Sequence, residues 1–531
     1  MGSLLRGALV LIAVLVAVGC TDLLQTAQCM GAAAGGEILS RRSLAAAHAG
    51  SSMYSSNMAR KLAGRHESKS TQNQQVLRTR LLHRDHPDSP LSRSSTSNTK
   101  LSHTERMAAA VKRSWARRDY ISSRGRLTRE AGDFESQVTQ DTGEYTMALS
   151  VGTPPQRFVV VMDTGSDLVW LNCMPCIQCI NQPHGPPFDP SLSSSYSPAS
   201  CVDNACTSSH SSTTLTKFCG SCALPNNWGT CAGTSCGYQY AYGDGSSTEG
   251  ELAYETFTVT NVDGSTTAIP NVTFGCGHNQ TGISFNGADG VAGMGQGQIS
   301  LPSQFQNFFP DIFTYCLVSA SSSSSTATVN SSTLLFGSPE NTGAGISSLV
   351  YTPLLENLIF PTFYYVGMTG ISVGGTLLTI PTTNFDIAVD GTGGVIFDSG
   401  TTYTLLPLDA YNAASQAVQS LITYPIISSP LEGLDIMCFD VTGVDPASNI
   451  SVPTMVFHFQ SSDASSTGGP ATVDYVLDLE NVYVYLEHAA LCLTILPTMN
   501  GLSIIGNSAQ VDHQIVFDRV NNQIGWASTT C

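Results

Sequence analysis

Two stretches of this sequence, FVVVMDTGSDLVW (residues 158–170) and GGVIFDSGTTYTLLP (residues 393–407), follow one pattern. Each is an apolar run of strand length that stops at Asp-Thr-Gly or Asp-Ser-Gly, where glycine lets the backbone reverse direction. Each stretch therefore predicts a buried strand that ends in a tight loop and presents a carboxylate there. The two carboxylates are Asp163 and Asp398, which lie far apart in the chain.

One such tripeptide arises easily by chance, but two copies of the whole pattern can set two carboxyl groups face to face. Two like charges at hydrogen-bonding distance cannot both ionise freely, so the pair shares one proton across acidic pH. Such a pair offers a base and an acid at the same time, which the activation of a water molecule requires. The sequence therefore predicts a hydrolytic site built from Asp163 and Asp398.

These paired patterns resemble the pepsin-like aspartic proteases, and more narrowly their nepenthesin-like plant branch. The resemblance covers about residue 81 to the end of the chain. It implies a mainly β, bilobal fold, in which two related β-barrel-like lobes hold the active-site cleft between them. It also implies that Asp163 and Asp398 are catalytic, that the substrate is a polypeptide, and that neither a metal nor another cofactor is needed. We expect a monomer.

By the same resemblance, six loop residues are expected to support the carboxylates: Thr164, Gly165, Ser166, Ser399, Gly400 and Thr401. The residue three positions past each aspartate would donate a hydrogen bond to the outer carboxylate oxygen. The hydroxyl residue directly after each aspartate would tie the two loops together, and each glycine would let backbone amides face the carboxylates. In isolation, each hydroxyl could also be ordinary loop polarity.

The stretch YQYAYGDGSSTEGELAYETF (residues 238–257) has two alternating runs around an Asp-Gly turn, which predicts a β-hairpin. Tyr242 lies beside Gly243 near its tip. In the family that this chain resembles, a tyrosine in this place closes over the substrate and excludes water. Trp170 stands at the spacing where the family has a tryptophan that supports this flap tyrosine. Each aromatic residue could otherwise be ordinary packing.

Each half of the chain also contains a glycine-marked strand. ADGVAGMG (residues 288–295) resembles the element that passes under the first aspartate loop in this family, and LSIIGN (residues 502–507) would take the same place under the second. The two halves thus repeat one plan, as a two-lobed fold requires. Beyond the second aspartate, apolar residues at helical spacing predict a short helix from about Leu408 to Ile422.

Charge is divided sharply along the chain. Residues 1–130 hold 20 of the 23 Lys and Arg and 8 of the 40 Asp and Glu, whereas residues 131–531 hold the other 3 and 32. A body so rich in carboxylates repels itself at neutral pH, and acid relieves that repulsion. A basic leader would be held to this body at neutral pH and released in acid. A solvated basic tail with no inhibitory role is the alternative.

Four regions follow from these patterns. They are a signal peptide (1–27), a basic prosegment (28–130), an N-terminal lobe with a Cys-rich insertion (131–342) and a C-terminal lobe (343–531). Within the prosegment, Ser102 and Glu105 form a capping-box pattern that predicts a helix over Thr104–Arg118. The chain is thus predicted to be the zymogen of a secreted endopeptidase that works at acidic pH.

The apolar core of the signal peptide, Ala8–Val18, is too short for a comfortable membrane span, and no other stretch suggests a membrane segment. We expect a secreted protein of the apoplast or vacuole. Four sequons would be glycosylated if exposed during secretion: Asn271, Asn279, Asn330 and Asn449. The alternative is a chloroplast protease in which Lys112–Arg129 contacts nucleic acid. Transit peptides, however, are amphipathic and not continuously apolar.

Fourteen cysteines follow residue 130, and behind a signal peptide an even count favours disulfides. Zinc is the alternative for Cys173, Cys176 and Cys179 with His184 nearby, but secretion oxidises thiols. Spacing alone leaves the connectivity open. The resemblance implies six bridges: Cys173–Cys176, Cys179–Cys276, Cys201–Cys236, Cys206–Cys231, Cys316–Cys531 and Cys438–Cys492. For the extra pair, adjacency in the sequence suggests a seventh bridge, Cys219–Cys222.

A rival function is that of a noncatalytic protein of this fold that inhibits other hydrolases by surface binding. Such relatives typically lack part of the aspartate pair or of the flap. This chain retains both aspartates, both supporting hydroxyl residues and the flap tyrosine. The sequence therefore favours the protease.

Overall fold

A computed structural model describes the protein over residues 76–83, 102–123, 144–179, 185–207, 215–219, 235–242, 245–261, 263–282, 287–319, 332–337, 349–431, 433–444, 450–465, 471–499 and 501–531. All of these lie in one compact unit, Gln74–Cys531. Several predictions fall outside the described residues: the signal peptide, most of the prosegment, His184, Cys222, Cys231, Gly243, Asn330 and Asn449.

Strands dominate the described part of the chain. Those before residue 340 are β1 (Leu77–His83), β2 (Tyr145–Val151), β3 (Gln156–Asp163), β4 (Trp170–Asn172), β5 (Ser197–Pro198), β6 (Leu215–Cys219), β7 (Cys236–Ala241), β8 (Ser247–Thr260), β9 (Thr266–Thr281), β10 (Gly290–Gly293), β11 (Ile312–Cys316) and β12 (Ser332–Phe336). Those after it are β13 (Val350–Leu355), β14 (Tyr364–Val366), β15 (Met368–Val373), β16 (Thr376–Leu377), β17 (Val395–Phe397), β18 (Thr404–Pro407), β19 (Ile426–Ile427), β20 (Cys438–Asp440), β21 (Met455–Gln460), β22 (Thr472–Leu477), β23 (Tyr483–Leu486), β24 (Ala490–Leu493), β25 (Ile495–Thr498), β26 (Ser503–Ile505), β27 (His513–Asp518) and β28 (Gln523–Ser528).

The α-helices are fewer: α1 (His103–Ser123), α2 (Asn204–Thr207), α3 (Leu301–Phe305), α4 (Leu408–Leu421) and α5 (Leu479–Val482). The helix predicted from about residue 408 is thus present as α4. Within the described ranges, no helix is both long enough and apolar enough to cross a membrane.

The two halves of the chain repeat one arrangement, as the sequence predicts. In the first half β10 runs parallel to β3, with Gly293 opposite Asp163. In the second half β26 runs parallel to β17, with Ile505 opposite Phe397. Strands covered on both faces read as continuous apolar runs, and residues 158–163 of β3 are all buried. Each aspartate loop therefore begins at the end of a buried strand that a glycine-marked strand supports.

The two halves of the chain are joined by strands near its end. Twenty strands form one connected sheet, beside two sheets of four strands each, among the residues that the structure covers. Near the end of the chain, β27 pairs with β11 of the first half and with β28, and β28 pairs with β13. The predicted mainly β, bilobal fold is confirmed.

The region predicted to be a prosegment contributes a strand that the sequence did not indicate. β1 lies between β2 and β12 and pairs antiparallel with both. Its Leu77 and Leu81 are buried and flank two exposed arginines, Arg78 and Arg80. A seven-residue segment with two arginines is a weak strand signal, so its pairing partners, which are distant in sequence, decide its conformation.

The disulfides agree with the sequence predictions at two positions. Cys316 is bonded to Cys531 and Cys438 to Cys492, and the second pair lies directly opposite across β20 and β24. Elsewhere the predicted pairings are wrong. Cys173 is bonded to Cys276, not to Cys176, because parallel pairing of β4 with β9 brings their Cα atoms to 5.3 Å. Cys179 is instead bonded to Cys176 within a short turn.

The Cys-rich insertion also differs from the prediction. Its bridges are Cys201–Cys219 and Cys206–Cys236, in place of the predicted Cys201–Cys236, Cys206–Cys231 and Cys219–Cys222. The hairpin of β6 and β7 sets Cys219 opposite Cys236. The sulfurs of Cys206, Cys219 and Cys236 all lie within 4.8 Å of one another. Such a cluster permits several pairings, and packing around the hairpin decides between them.

Candidate active site

The first aspartate loop holds Asp163 at the end of β3, where the side chain is only 3% exposed. Its outer oxygen Oδ2 accepts a 2.6 Å hydrogen bond from Ser166 Oγ. Its inner oxygen Oδ1 accepts a 3.0 Å hydrogen bond from the backbone N–H of Gly165. Two turn residues, Gly165 and Ser166, therefore fix the orientation of this carboxylate.

The second loop repeats this arrangement around Asp398, which is completely buried. Thr401 Oγ1 donates a 2.6 Å hydrogen bond to Oδ2, and the backbone N–H of Gly400 donates a 3.0 Å bond to Oδ1. The expected supporting contacts of both loops are thus present. The pattern is one of near-twofold symmetry, as the duplicated sequence suggests.

Reciprocal hydrogen bonds tie the two loops together. The backbone N–H of Ser399 donates to Thr164 Oγ1 at 2.8 Å, and the backbone N–H of Thr164 donates to Ser399 Oγ at 3.1 Å. Because both bonds lie in the buried interior, they are shielded from competition with water. They hold the two aspartates in one fixed relation.

The loop glycines allow this close approach. A Cβ atom at Gly165 would lie 2.7 Å from Asp398 Oδ1, and one at Gly400 would lie 2.3 Å from Asp163 Oδ1. Each glycine therefore faces the carboxylate of the other loop, and any larger residue would push the loops apart. Close backbone approach is a common reason for glycine.

The buried pair favours retention of a proton. Burial raises the pKa of Asp398 above its ordinary value, and the charge of Asp163 raises it further. The guanidinium of Arg117 and the hydrogen bonds from Thr401 and Gly400 act in the opposite direction but do not outweigh burial. Two carboxylates so arranged can hold one proton between them, and thus present one acid and one base.

The aromatic residues lie together on one side of the cleft. Trp170 Nε1 donates a 2.6 Å hydrogen bond to the hydroxyl of Tyr242, and both side chains are buried. Tyr242 N–H donates to Ser246 O across the turn of the hairpin. Burial is the main reason why the pKa of Tyr242 is raised well above its ordinary value. The tyrosine hydroxyl is therefore a neutral group near the aspartates.

Arg117 of helix α1 bridges the two aspartates. Its Nε donates to Asp398 Oδ2 at 2.6 Å, and its Nη2 donates to Asp163 Oδ1 at 2.6 Å and to Asp398 Oδ1 at 3.1 Å. Burial lowers the pKa of Arg117, but the charges of both carboxylates outweigh burial and raise it. A permanently charged guanidinium thus occupies the position between the carboxylates.

The rest of α1 packs on the second half of the chain. Its buried Met107, Ala110 and Val111 belong to one apolar cluster with Phe360 and Phe363, among other side chains. On the same helix, Ser114 accepts a 3.2 Å hydrogen bond from the backbone N–H of Tyr403, and Arg118 Nη1 donates to Pro497 O at 3.3 Å. The helix therefore covers the aspartate loops and is held along its length.

Two carboxylates of the main body contact α1, one at its N-terminal end and one near its middle. Glu487 accepts hydrogen bonds from the backbone N–H groups of His103 (2.5 Å) and Thr104 (2.9 Å) and from the Thr104 hydroxyl. This carboxylate thus caps the helix at the positive end of its dipole. Nearer to the aspartates, Arg113 Nε lies 4.0 Å from Glu144 Oε1. The capping box predicted at Ser102 and Glu105 is also present.

Sequence reasoning missed Arg117, Glu487 and Glu144. The charge division of the chain indicates an ionic contact between leader and body, but it does not select one arginine among 20 Lys and Arg. Helical spacing provides a partial signal, since Arg113 and Arg117 stand four residues apart and share a face. The partners lie tens to hundreds of positions away in the chain, so no local pattern identifies them.

The structure describes two of the four sequons, Asn271 and Asn279. Asn271 is exposed in β9 with a φ of 59°, and Asn279 Nδ2 donates a 3.1 Å hydrogen bond to Glu249. Glycosylation at these positions remains a prediction.

Comparison with known proteins places this geometry in a family. The family model described as "Xylanase inhibitor N-terminal" matches residues 145–338, and the one described as "Xylanase inhibitor C-terminal" matches residues 363–528. Both aspartate loops lie inside the matched regions.

Whole-chain relatives agree with the family models. The chain is 38% identical over 400 residues to aspartic proteinase nepenthesin-1 of Nepenthes gracilis. This alignment covers 75% of this chain and 80% of the relative. The chain is 36% identical over 439 residues to nepenthesin-2 of the same plant, covering 82% and 88%. The crystal structure of edgp superposes on this protein with a TM-score of 0.55 at 22% sequence identity, and the match covers 73% of this chain and 92% of the edgp chain. The chain therefore belongs to the pepsin-like aspartic protease family, in its nepenthesin-like plant branch.

Proposed function

We propose that this protein is the zymogen of an aspartic endopeptidase that hydrolyses peptide bonds at acidic pH. The single observation that carries the proposal is the arginine of the prosegment bonded to both buried aspartates. A guanidinium in this place makes sense if the two carboxylates form a site that must be silenced until it is needed. The named relatives, which are aspartic proteinases, support the same activity.

The chemistry follows from the shared proton. Once Arg117 has left, a water held between Asp163 and Asp398 gives a proton to the ionised carboxyl and attacks the peptide carbonyl carbon. The protonated partner donates a hydrogen bond to the developing oxyanion. The amide nitrogen then accepts a proton and leaves. The proton belongs to the pair, so neither aspartate is assigned the acid role alone.

Inhibition by the prosegment has two physical parts. Arg117 supplies a positive charge where the water would sit, and its two ion pairs engage the carboxylate oxygens that would otherwise bind the water. The apolar face of α1 meanwhile fills the cleft beside the aspartates. Acid weakens the binding of Arg117, because protonation of the two carboxylates removes the ion-pair partners of its guanidinium.

Glu487 provides a second acid-sensitive contact and a test of this release. Burial raises its pKa, but the hydrogen bonds from Thr104 and His103 outweigh burial and lower it to about 2. The ordinary value is near 4.5. A depressed pKa means that the contact is at full strength above the ordinary value and is lost as pH falls from there towards 2. Glu487→Gln should therefore raise the pH midpoint at which the full chain becomes active.

Glu480→Gln is the matched control, because Glu480 is an exposed acid on the neighbouring helix α5. Activity of the full chain is measured with a small quenched peptide between pH 2 and 7. Equal midpoints for the two variants would show that Glu487 does not hold the helix.

We also propose that the protein is secreted to the apoplast or vacuole, acts as a monomer and carries N-linked glycans. Sequencing of the N-terminus of the native protein tests the route. An end between residues 125 and 142 in glycosylated material supports a secreted zymogen, whereas a cleaved transit peptide would support the chloroplast alternative. In the docked state, Arg113, Arg117 and Arg118 contact the protein body, which disfavours nucleic acid as their partner.

The second candidate function is inhibition of other hydrolases without catalysis. The description of the matching family models, which names xylanase inhibitors, is the observation that favours it. Hydrolysis of an unfolded protein by the acid-treated chain separates the two functions. Multiple turnovers at pH 3 support the protease, and absence of turnover together with inhibition of a glycan hydrolase supports the rival.

A further inference from the structure

Asp167 is a third buried carboxylate at the active site, and the chemistry described above does not use it. It follows Ser166 in the first aspartate loop and is 1% exposed. Burial of a carboxylate is unfavourable unless hydrogen bonds compensate for the lost water. The partners of Asp167 therefore indicate why it is there.

Both oxygens of Asp167 accept short hydrogen bonds. The backbone N–H of Gly297 donates to Oδ1 at 2.8 Å, and Thr362 Oγ1 donates to Oδ2 at 2.7 Å. Gly297 follows β10 in the first half of the chain, whereas Thr362 lies two residues before the start of β14 in the second half. A single side chain thus links the first aspartate loop to both halves.

The turn after β10 is shaped to receive this side chain. A Cβ atom at Gly295 would lie 2.4 Å from Asp167 Oδ1, and one at Gly297 would lie 2.4 Å from its Cγ. The Gly-x-Gly spacing of the turn therefore leaves room for the carboxylate. The same turn contacts the loop again, since Gly295 N–H donates to Ser166 O at 2.8 Å.

The contact with Thr362 leads directly to the second aspartate. Thr362 O accepts a 2.9 Å hydrogen bond from Gln296 N–H, so the two segments are held by more than one bond. Two residues on, Tyr364 lies opposite Phe397 in the pairing of β14 with β17. Phe397 immediately precedes Asp398. The path from Asp167 to the second carboxylate is therefore short and made of buried, paired backbone.

We propose that Asp167 is a positioning residue of the aspartate pair. Its carboxylate fixes the first loop against Thr362 and so sets the separation of Asp163 and Asp398. Its negative charge, which lies in the same loop as Asp163, also favours retention of the proton that the pair shares. This inference rests on the proposed protease function.

The charged groups around Asp167 are few. Burial raises the pKa of Asp167 and the charge of Asp163 raises it further, whereas Thr362, Gly297 and the charge of Arg519 lower it. Arg519, from the turn after β27, is itself paired with Asp311 at 3.3 Å.

Two variants separate the positional effect from the charge effect in the acid-activated enzyme. Asp167→Asn keeps the shape and removes the charge, and Thr362→Val keeps the charge and removes the hydroxyl. Because small misplacements of reacting groups are costly, each should lower kcat about tenfold or more with little change in KM. Asp167→Asn should also move the upper limb of the pH profile of kcat/KM to lower pH. Thr362→Val should leave that limb in place.

Asp289→Asn is the matched structural control, because Asp289 is likewise a buried carboxylate of the first half that accepts a backbone N–H, from Val159 at 2.7 Å. This variant should lower the unfolding temperature without moving the pH limb. If Asp167→Asn behaved like Asp289→Asn, the proposal would be overturned. If Asp167→Asn failed to fold, Thr362→Val with rescue of kcat by Thr362→Ser would test the positional part.

A second readout keeps this proposal distinct from the protease function. The carboxyl carbons of the aspartates are labelled with ¹³C, and their NMR shifts are followed against pH in the acid-released chain. The apparent pKa of the pair should be lower in Asp167→Asn than in the wild type, whether or not peptides are hydrolysed. An unchanged pKa overturns the charge effect, whereas an inactive wild type with the expected shift overturns only the protease function.

Discussion

Asp163→Asn and Asp398→Asn should each abolish peptide hydrolysis while the fold persists. Asparagine has nearly the shape of aspartate and can still accept the hydrogen bonds from Ser166 or Thr401. It cannot take a proton from water or share one with its partner. General acid–base catalysis contributes about 10²- to 10⁴-fold, and here one substitution removes both the acid and the base. We expect a loss at the upper end of this range, measured as kcat on a quenched peptide at pH 3.

The double variant should be no worse than either single one, because the two groups act as a unit. Asp263→Asn is the control, since this aspartate lies in an exposed turn, where it contacts Ser265. Thermal unfolding of all variants checks that the fold is intact. Appreciable hydrolysis by a folded Asn variant would contradict the mechanism.

Replacement of Arg117 should have the second largest effect, and in the opposite direction. Arg117→Gln leaves two buried carboxylates without their cation in the docked state. Removal of one partner from a buried ion pair costs about 3–5 kcal/mol. Since about 1.4 kcal/mol corresponds to a factor of ten, docking of the prosegment should weaken about 10²- to 10³-fold. The uncleaved chain should then hydrolyse a small peptide near pH 6, where the wild type is silent.

Lys112→Gln is the matched control, because it removes the same charge from an exposed position of the same helix. Arg117→Lys should be intermediate, since a single ammonium group cannot bond both carboxylates through a planar fork. Initial rates are measured while electrophoresis shows the chain to be uncleaved. Equal latency of the Arg117→Gln and Lys112→Gln variants would refute the role of Arg117.

Acid thus affects the same protein at several places. Protonation weakens the ion pairs of Arg117 and the cap at Glu487, and it also relieves the repulsion within a body that carries 32 acidic and 3 basic residues after position 130. In the proposed zymogen, this arrangement links the release of the prosegment to the pH at which the aspartate pair can hold its single proton.

Local patterns in the sequence determined much of this protein. The apolar runs before Asp163 and Asp398 specify buried strands, and the glycines after them specify tight loops, because these features depend on side chains only a few positions apart. Duplication of that pattern predicted the paired carboxylates, and the family resemblance that it carries predicted the two-lobed β fold and the supporting hydroxyl groups. The capping box of α1 and the helix α4 are local in the same sense.

Tertiary structure alone decided the rest. The strand β1 forms because β2 and β12 offer it hydrogen-bonding edges, and the cysteines of the insertion pair according to the hairpin that gathers them. The choice of Arg117, the capping of α1 by Glu487 and the link from Asp167 to Thr362 join residues that are distant in the chain. Such contacts depend on how whole strands and helices pack, and the free energy of that packing is not encoded in any short stretch of sequence.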